Sequence, residues 1–423
     1  MKKGLFLLPF LLLGCGSDRR GGEATTAQPV LSGLAPQTGA IGTTTEPATR
    51  PPMDHYRQTH TAVLYGSSRA SSVRTLPKSA YKLSKVVDHN YDLLSQDWRR
   101  YVSISSLLVN ARGDRFCVNH DVFWEVHKEQ TQLFFQRGAA RGTNLAFLGD
   151  AILAGDDKYE SNDRGEYVLP IDAGDWRAAL PAGPYVLYVA YFKHVGPSPH
   201  GEGPDFPEAM AIGASGLLPD GHGTPTWQPL DPSWDQRRIP GRGAAAIGED
   251  LRAVIGMEDG RLLVFEGLTG KPRIDPKLPY PITDLSLPGD DYAVVSVAGD
   301  KRTVHRLGPD GKEKWSATVD FPLSQPPVDG GNGTLYLAGA GLAAVRDGKV
   351  LFSRKSKDKV RMTCFDDGTC AVAEGHTLRI IGADGQAIHT FVTPADEAVA
   401  VPPAIGGDGS VWIATEKAVY AAR

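Results

Sequence analysis

Four segments in the carboxyl-terminal half of the chain end alike. Arg261–Lys271, Thr303–Lys312, Leu342–Lys349 and Leu378–Gln386 each run as a strand-like stretch into a turn that carries glycine. The turn glycines Gly270, Gly311, Gly348 and Gly385 lie 41, 37 and 37 residues apart. Four residues after each stands a bulky side chain: Ile274, Trp315, Phe352 and His389. A second ladder runs upstream of these turns. Asn332–Ala338, Asp367–Ala373 and Asp408–Ala414 match position by position, with Leu251–Gly256 and Tyr292–Ala298 as weaker copies. Lys417–Ala421 repeats the first ladder once more, so residues 241–423 hold about five units of 35–41 residues. One small sheet cannot bury both of its faces, so such units must stack on one another, and this period is that of propeller blades. The bulky residue after the turn is expected to wedge between neighbouring blades. Glycine at 48 and proline at 31 of 423 residues fit many short strands and turns rather than helix bundles.

The best single copy of the turn is Leu307-Gly308-Pro309-Asp310-Gly311-Lys312-Glu313-Lys314-Trp315, followed by Thr269-Gly270-Lys271. This pattern resembles the PQQ-like repeat of quinoprotein-dehydrogenase-like β-propellers, over about 180 residues. One unit keeps the tryptophan and one keeps Thr-Gly. Five visible units are few for that family, and Pro219-Asp220-Gly221 with Trp227 echo the turn within 205–240 as a degenerate extra blade. The resemblance implies a propeller without the enzyme. A quinone dehydrogenase of that family needs a vicinal disulfide, and no two cysteines are adjacent here. No cofactor is therefore expected.

Other chemistry is equally thin. The eleven histidines do not cluster. His120 and His127, seven residues apart, would point to opposite faces of one extended strand. His194, His200 and His222 sit in Gly/Pro-rich loops beside Glu202, Asp205 and Asp220, where solvated side chains are the plain reading and no metal is assigned. There is no G-x-S-x-G, H-E-x-x-H or phosphate-binding glycine loop. The expectation is a binding or scaffolding module and not an enzyme. The alternatives are an envelope enzyme acting on glycan or peptide, and a surface adhesin or sensor.

The amino-terminal end speaks to location. Lys2 and Lys3 precede the short apolar run Leu5–Leu13, which has the layout of a secretory signal peptide over residues 1–14. Leu12-Leu13-Gly14-Cys15 resembles the lipobox of bacterial lipoproteins, which implies lipidation of Cys15. Gly16 rather than aspartate after the cysteine implies, by the same resemblance, the outer membrane, facing periplasm or cell surface. Cleavage would move the formal net charge from −4 to −6, so the anchor and not the surface would hold the protein at anionic lipid. The same acidic balance argues against a nucleic-acid partner. A protein or an envelope polymer is the expected partner.

Between the anchor and the repeats, residues 15–55 are rich in Pro, Thr and Gly and read as a disordered tether. Residues 56–198 are expected to form a β-sandwich, immunoglobulin-like, with a small barrel as the alternative. Within them 56–100 are mixed, and Ser79–Val87 and Tyr91–Ser95 could be short helices or connections. Strand-like runs follow at Tyr101–Val109, Asp121–Val126, Gln132–Phe135, Leu145–Leu148, Glu166–Ile171 and Tyr185–Phe192. Leu180-Pro181-Ala182-Gly183-Pro184-Tyr185 loosely resembles the corner that precedes a late immunoglobulin strand. Residues 199–240 read as an interdomain linker, and the whole chain as all-β.

Two further features concern sites. Cys364 and Cys370 flank Phe365–Thr369. A three-residue loop Asp366-Asp367-Gly368 would set the two cysteines face to face, ready to bridge in an oxidising envelope; a two-residue turn would leave them diagonal and unbridged. Arg354, Lys355, Lys357 and Lys359 place four cations within six residues of an acidic chain. The plain reading is a solvated turn, and the functional reading is a contact for an acidic partner.

Overall fold

A computed structural model describes residues 69–70, 82–89, the strands between 104 and 240, and 241–423 with breaks at 249, 267–269, 366 and 407–408. The expected signal peptide, Cys15 and the tether lie outside the described residues. Among the described residues every regular element is a β-strand, and the strands form eight sheets.

Five of these sheets are the repeat units. Blade 4 comprises Gly243–Ile247, Ala253–Met257, Leu262–Glu266 and Lys271–Ile274. Blade 5 comprises Asp284–Ser286, Tyr292–Ala298, Lys301–Leu307 and Glu313–Val319. Blade 6 comprises Val328–Asp329, Leu335–Ala338, Gly341–Arg346 and Lys349–Lys355. Blade 7 comprises Val360–Phe365, Cys370–Glu374, Thr377–Ile381 and Ala387–Val392, with Arg69–Ala70 paired parallel to its first strand. Blade 8 takes three strands from the carboxyl-terminal end, Ala404–Ile405, Val411–Ala414 and Ala418–Ala422, and its fourth, Leu83–Asp88, from far upstream. Leu83 lies opposite Ala422, and the Lys82 amide donates to the Arg423 carbonyl at 2.9 Å. The segment 79–87, open between helix and connection by its composition, is thus partly a strand. Its pattern is too short to choose, and the unpaired edge of Ala418–Ala422 decides.

The two sequence ladders acquire separate places in the blade. Gly270, Gly311, Gly348 and Gly385 turn the third strand into the fourth, and Gly333, Gly368 and Gly409 turn the first into the second. All seven have positive φ, between 60° and 85°, where a Cβ is strained. On the outer strands of blades 4, 5 and 6, Ile274, Trp315 and Phe352 reach the turn glycine of the next blade. A Cβ on Gly311 would come 3.5 Å from the Ile274 Cδ1, one on Gly348 3.3 Å from the Trp315 Cβ, and one on Gly385 3.0 Å from the Phe352 ring. The Trp315 and Phe352 wedges therefore leave little room for a Cβ in the neighbouring unit, and at Gly311 the tighter neighbour is Pro276, at 2.7 Å.

Five apolar cores join successive sheets face to face. Val264 and Ile282 meet Val294 and Leu307 between blades 4 and 5. Val304 and Phe321 meet Leu337 and Val345 between blades 5 and 6. Tyr336 and Leu342 meet Met362 and Val372 between blades 6 and 7, and Phe365 and Leu378 meet Ile413 and Tyr420 between blades 7 and 8. The fifth core continues past the repeats: Trp412, Val419 and Ala421 pack against Ile104, Leu107 and Phe116. Burying side chains of this size stabilises by about 1.5–3 kcal/mol each relative to exposure.

No free-standing sandwich is shown among the described residues. Ile104–Val109, Arg115–His120, Phe123–Lys128 and Gln132–Arg137 form a four-stranded meander, blade 1, whose first two strands share the core of blade 8. Leu145–Leu148, Ala151–Ala154 and Val168–Pro170 make blade 2. Asp175–Ala182, Tyr185–Phe192, Ala209–Pro219 and Pro225–Pro229 make blade 3, with Arg238–Pro240 also paired to Ala209–Pro219. The segment resembling an immunoglobulin corner is a tight hairpin, with Ala182 opposite Tyr185. Much of the expected linker is therefore strand. His120 and His127 fall on adjacent strands of blade 1, not on one. First strands of blades 1, 2, 3 and 4 lie beside one another in turn, which closes the ring of a β-propeller. Alternating apolar residues look the same in a sandwich and in a blade; the sheet that covers them makes the difference.

Candidate functional site

The basic cluster identified in the sequence lies at the end of the outer strand of blade 6 and in the connection to blade 7. The structure separates its members. Arg354 donates from both terminal nitrogens to the Glu374 carboxylate, each at 2.8 Å. Lys355 pairs with Asp320 at 2.9 Å, both two-thirds exposed, and such surface pairs contribute little. Lys357 is exposed on the wall of the cleft described below. Partial burial and the neighbouring Arg361 guanidinium hold the Lys359 ammonium below its ordinary range.

Glu374 ends the second strand of blade 7, and it organises the site. Besides Arg354, it accepts from the Ser356 hydroxyl at 2.5 Å and from Arg379 at 2.8 Å. Arg379 stands on the third strand of the same blade, opposite Val372 in the ladder, so it shares a face with Glu374. The Arg354 guanidinium, with Ser356 and Arg379 behind it against the opposing effect of burial, pulls the Glu374 carboxyl down to about 2. The carboxylate is therefore ionised at any physiological pH. It is a fixed anion shared by two cations from adjacent blades.

This network floors an open cleft of ≈ 720 Å³ between blades 6 and 7. Phe352, Val372 and Ile381 supply an apolar back wall, and Lys355, Lys357, Asp358, Thr377 and Gln386 line the mouth. An arginine offers five N–H donors. The bonds to Glu374 use two on Arg354 and one on Arg379, which leaves donors on both for an acidic group entering the cleft. The arrangement sets charged hydrogen-bonding groups against an apolar wall.

Cys364 and Cys370 form a disulfide. They face each other across the first hairpin of blade 7, where the Phe365 amide donates to the Thr369 carbonyl at 2.7 Å and Gly368 has φ of 84°. Cys117 is buried on blade 1, outside this pair. The disulfide borders the propeller's inner strands and not the cleft.

Sequence reading singled out Arg354, Lys355, Lys357 and Lys359 and missed Glu374 and Arg379. A signal was present. Arg379 stands one residue before the partner of the wedge side chain, a place held by Leu263 in blade 4 and Ala343 in blade 6. A charge at a position otherwise apolar marks a flank that has been turned to polar use. Blade 5 breaks the pattern at the same place, with His305.

The chain matches no protein family and no curated protein. Solved structures that resemble it include the computationally designed Ika8 protein, at 13% identity and a TM-score of 0.47 over 85% of this chain and 99% of that one. BamB from Moraxella catarrhalis resembles it at 12% identity and a TM-score of 0.47, over 81% of this chain and 99% of that one. The WD40 β-propeller domain of Doa1 does so at 10% identity and a TM-score of 0.44, over 81% and 97%. The propeller assignment stands on the eight sheets and their shared cores.

Proposed function

We propose that this protein is a lipid-anchored binding module of the cell envelope. Its cleft between blades 6 and 7 receives an acidic partner, either the surface of a protein or the phosphates of an envelope polymer. The observation that carries this reading is the pair Arg354 and Arg379 held in place by Glu374 in a cleft that the exposed Lys357 also lines. Preorganised guanidinium groups suit carboxylate and phosphate recognition, because their geometry is set before the ligand arrives. Binding of this kind rests on screened charges and weakens with salt. In this reading Cys15 carries the anchor, the outer membrane is the site, and the ring is a rigid support with no catalytic step assigned to the cleft.

The test uses a triple variant, Lys355→Ser, Lys357→Ser and Lys359→Ser, which leaves Arg354 and Glu374 joined and the fold intact. Binding of polyglutamate and of lipopolysaccharide vesicles is measured for both proteins at low and high salt. Weaker, less salt-sensitive binding of either probe by the variant supports the proposal and tells the two partner classes apart. Equal binding with equal salt dependence returns the cluster to a solvated turn.

A further inference from the structure

Blade 5 carries a different polar set on the flank that blade 7 uses for Glu374 and Arg379. The ladders align Ser296 with Glu374 and His305 with Arg379, since Val294 opposes His305 as Val372 opposes Arg379. Ser296 Oγ lies 2.9 Å from His305 Nε2, and His305 Nδ1 lies 2.8 Å from Glu313 Oε2. The Tyr280 hydroxyl donates to the same carboxylate oxygen at 3.2 Å, and its ring stacks on the imidazole with centroids 3.8 Å apart and planes 14° from parallel. His305 is buried, whereas Ser296 is partly open to solvent.

The proton positions follow from the chemistry of the groups. Burial works to raise the Glu313 carboxyl, but the hydrogen bonds from His305, Ser316 and Tyr280 outweigh it and hold it below its ordinary value. An ionised carboxylate only accepts, so His305 Nδ1 carries the hydrogen and donates. In the neutral ring Nε2 then holds a lone pair, and the Ser296 hydroxyl donates to it. Hydroxyl, base and orienting acid thus stand in the order that activates a serine. Three adjacent strands and a stacked tyrosine fix them.

We propose that Ser296 is a nucleophile toward carboxylic esters, with His305 as its base and Glu313 and Tyr280 as positioning residues. The Ser296 Oγ–carbon bond forms as the ester carbon–oxygen bond breaks. The hydroxyl proton passes to His305 Nε2 and on to the departing alkoxide. Water, deprotonated by the same nitrogen, then releases the acid and restores the serine. This activity is independent of the acidic partner proposed for the cleft.

The test treats the purified protein with p-nitrophenyl acetate and, separately, with a fluorophosphonate probe that loses fluoride on attack. The expected result is nitrophenolate release with one acetyl or phosphonyl group on the peptide holding Ser296. Ser296→Ala, which removes a single oxygen, should abolish the adduct with the circular dichroism spectrum unchanged. His305→Gln should slow acylation by roughly 100-fold. Glu313→Gln, whose amide can donate to Nδ1 and so reverse the tautomer, should slow it as well, and Glu313→Asp should restore part of the rate. Absence of an adduct on the folded wild-type protein, or an adduct that survives Ser296→Ala, overturns the proposal. Full acylation in His305→Gln overturns the assignment of the base.

Discussion

Replacing Glu374 with glutamine removes one charge and almost no volume from the network between blades 6 and 7. A carboxyl held at about 2 against an ordinary 4.5 sets a ceiling of about 3.4 kcal/mol on what its ionised form contributes. The side chains of Arg354 and Arg379 are 42% and 37% exposed, so solvent screens both. Discounted for that screening, the expected loss is about 1–2 kcal/mol at pH 7. For a folded unit of this size it lowers the thermal midpoint by roughly 1–3 °C. The pH dependence distinguishes this cause from any other. The folded-state carboxyl is depressed, so its contribution is complete above the unfolded value of 4.5 and fades as pH falls toward about 2. At pH 3.5 roughly two-fifths of it is gone. Differential scanning calorimetry of wild type and Glu374→Gln at pH 7 and pH 3.5 should show the gap between midpoints narrowing on acidification. A gap that stays constant with pH, or one too small to resolve at pH 7, would refute the argument that a shared, ionised carboxylate joins the two blades.

Other expectations follow from the same structure. Gly385→Ala forces φ of 78° on a residue with a Cβ and sets that carbon 3.0 Å from the Phe352 ring, so it should cost at least about 1–2 kcal/mol. Adding Phe352→Ala should recover only the steric part, which thermal melts of the single and double variants would separate. Cys364→Ser with Cys370→Ser should cost about 2 kcal/mol or less, because the two residues are only six apart and the hairpin ladder already holds them. Urea titration of the oxidised and variant proteins measures that difference. Cys15→Ala should abolish metabolic labelling with fatty acid, since in the proposed anchor the Cys15 thiol alone accepts the lipid; undiminished labelling would remove the anchor from the proposal.

What the chain states by itself is local. The spacing of Gly270, Gly311, Gly348 and Gly385 marks the repeat, and the bulky residue four positions on marks the wedge. Both can be read because a turn with positive φ needs glycine wherever the rest of the chain goes. The hairpin between Cys364 and Cys370 is local in the same sense: its loop length sets its register, with a three-residue and a two-residue loop the only choices. Tertiary structure decided what depended on distant partners. Leu83–Asp88 is a strand because the edge of Ala418–Ala422 lacks a neighbour, and nothing within six residues of sequence announces an edge more than 300 residues away. Ile104–Val118 carries the alternation of a sandwich, yet the face it covers is that of Trp412 and Val419. Arg354 reads as a solvent cation until the next blade brings Glu374 to it, and Ser296 reads as an ordinary strand residue until the bend of two hairpins sets His305 and Glu313 in line. Hydrophobic alternation and turn chemistry act over a few residues, so they are written in the sequence. Burial, charge pairing and proton position depend on which surface lies opposite, and only the closed ring supplies that surface.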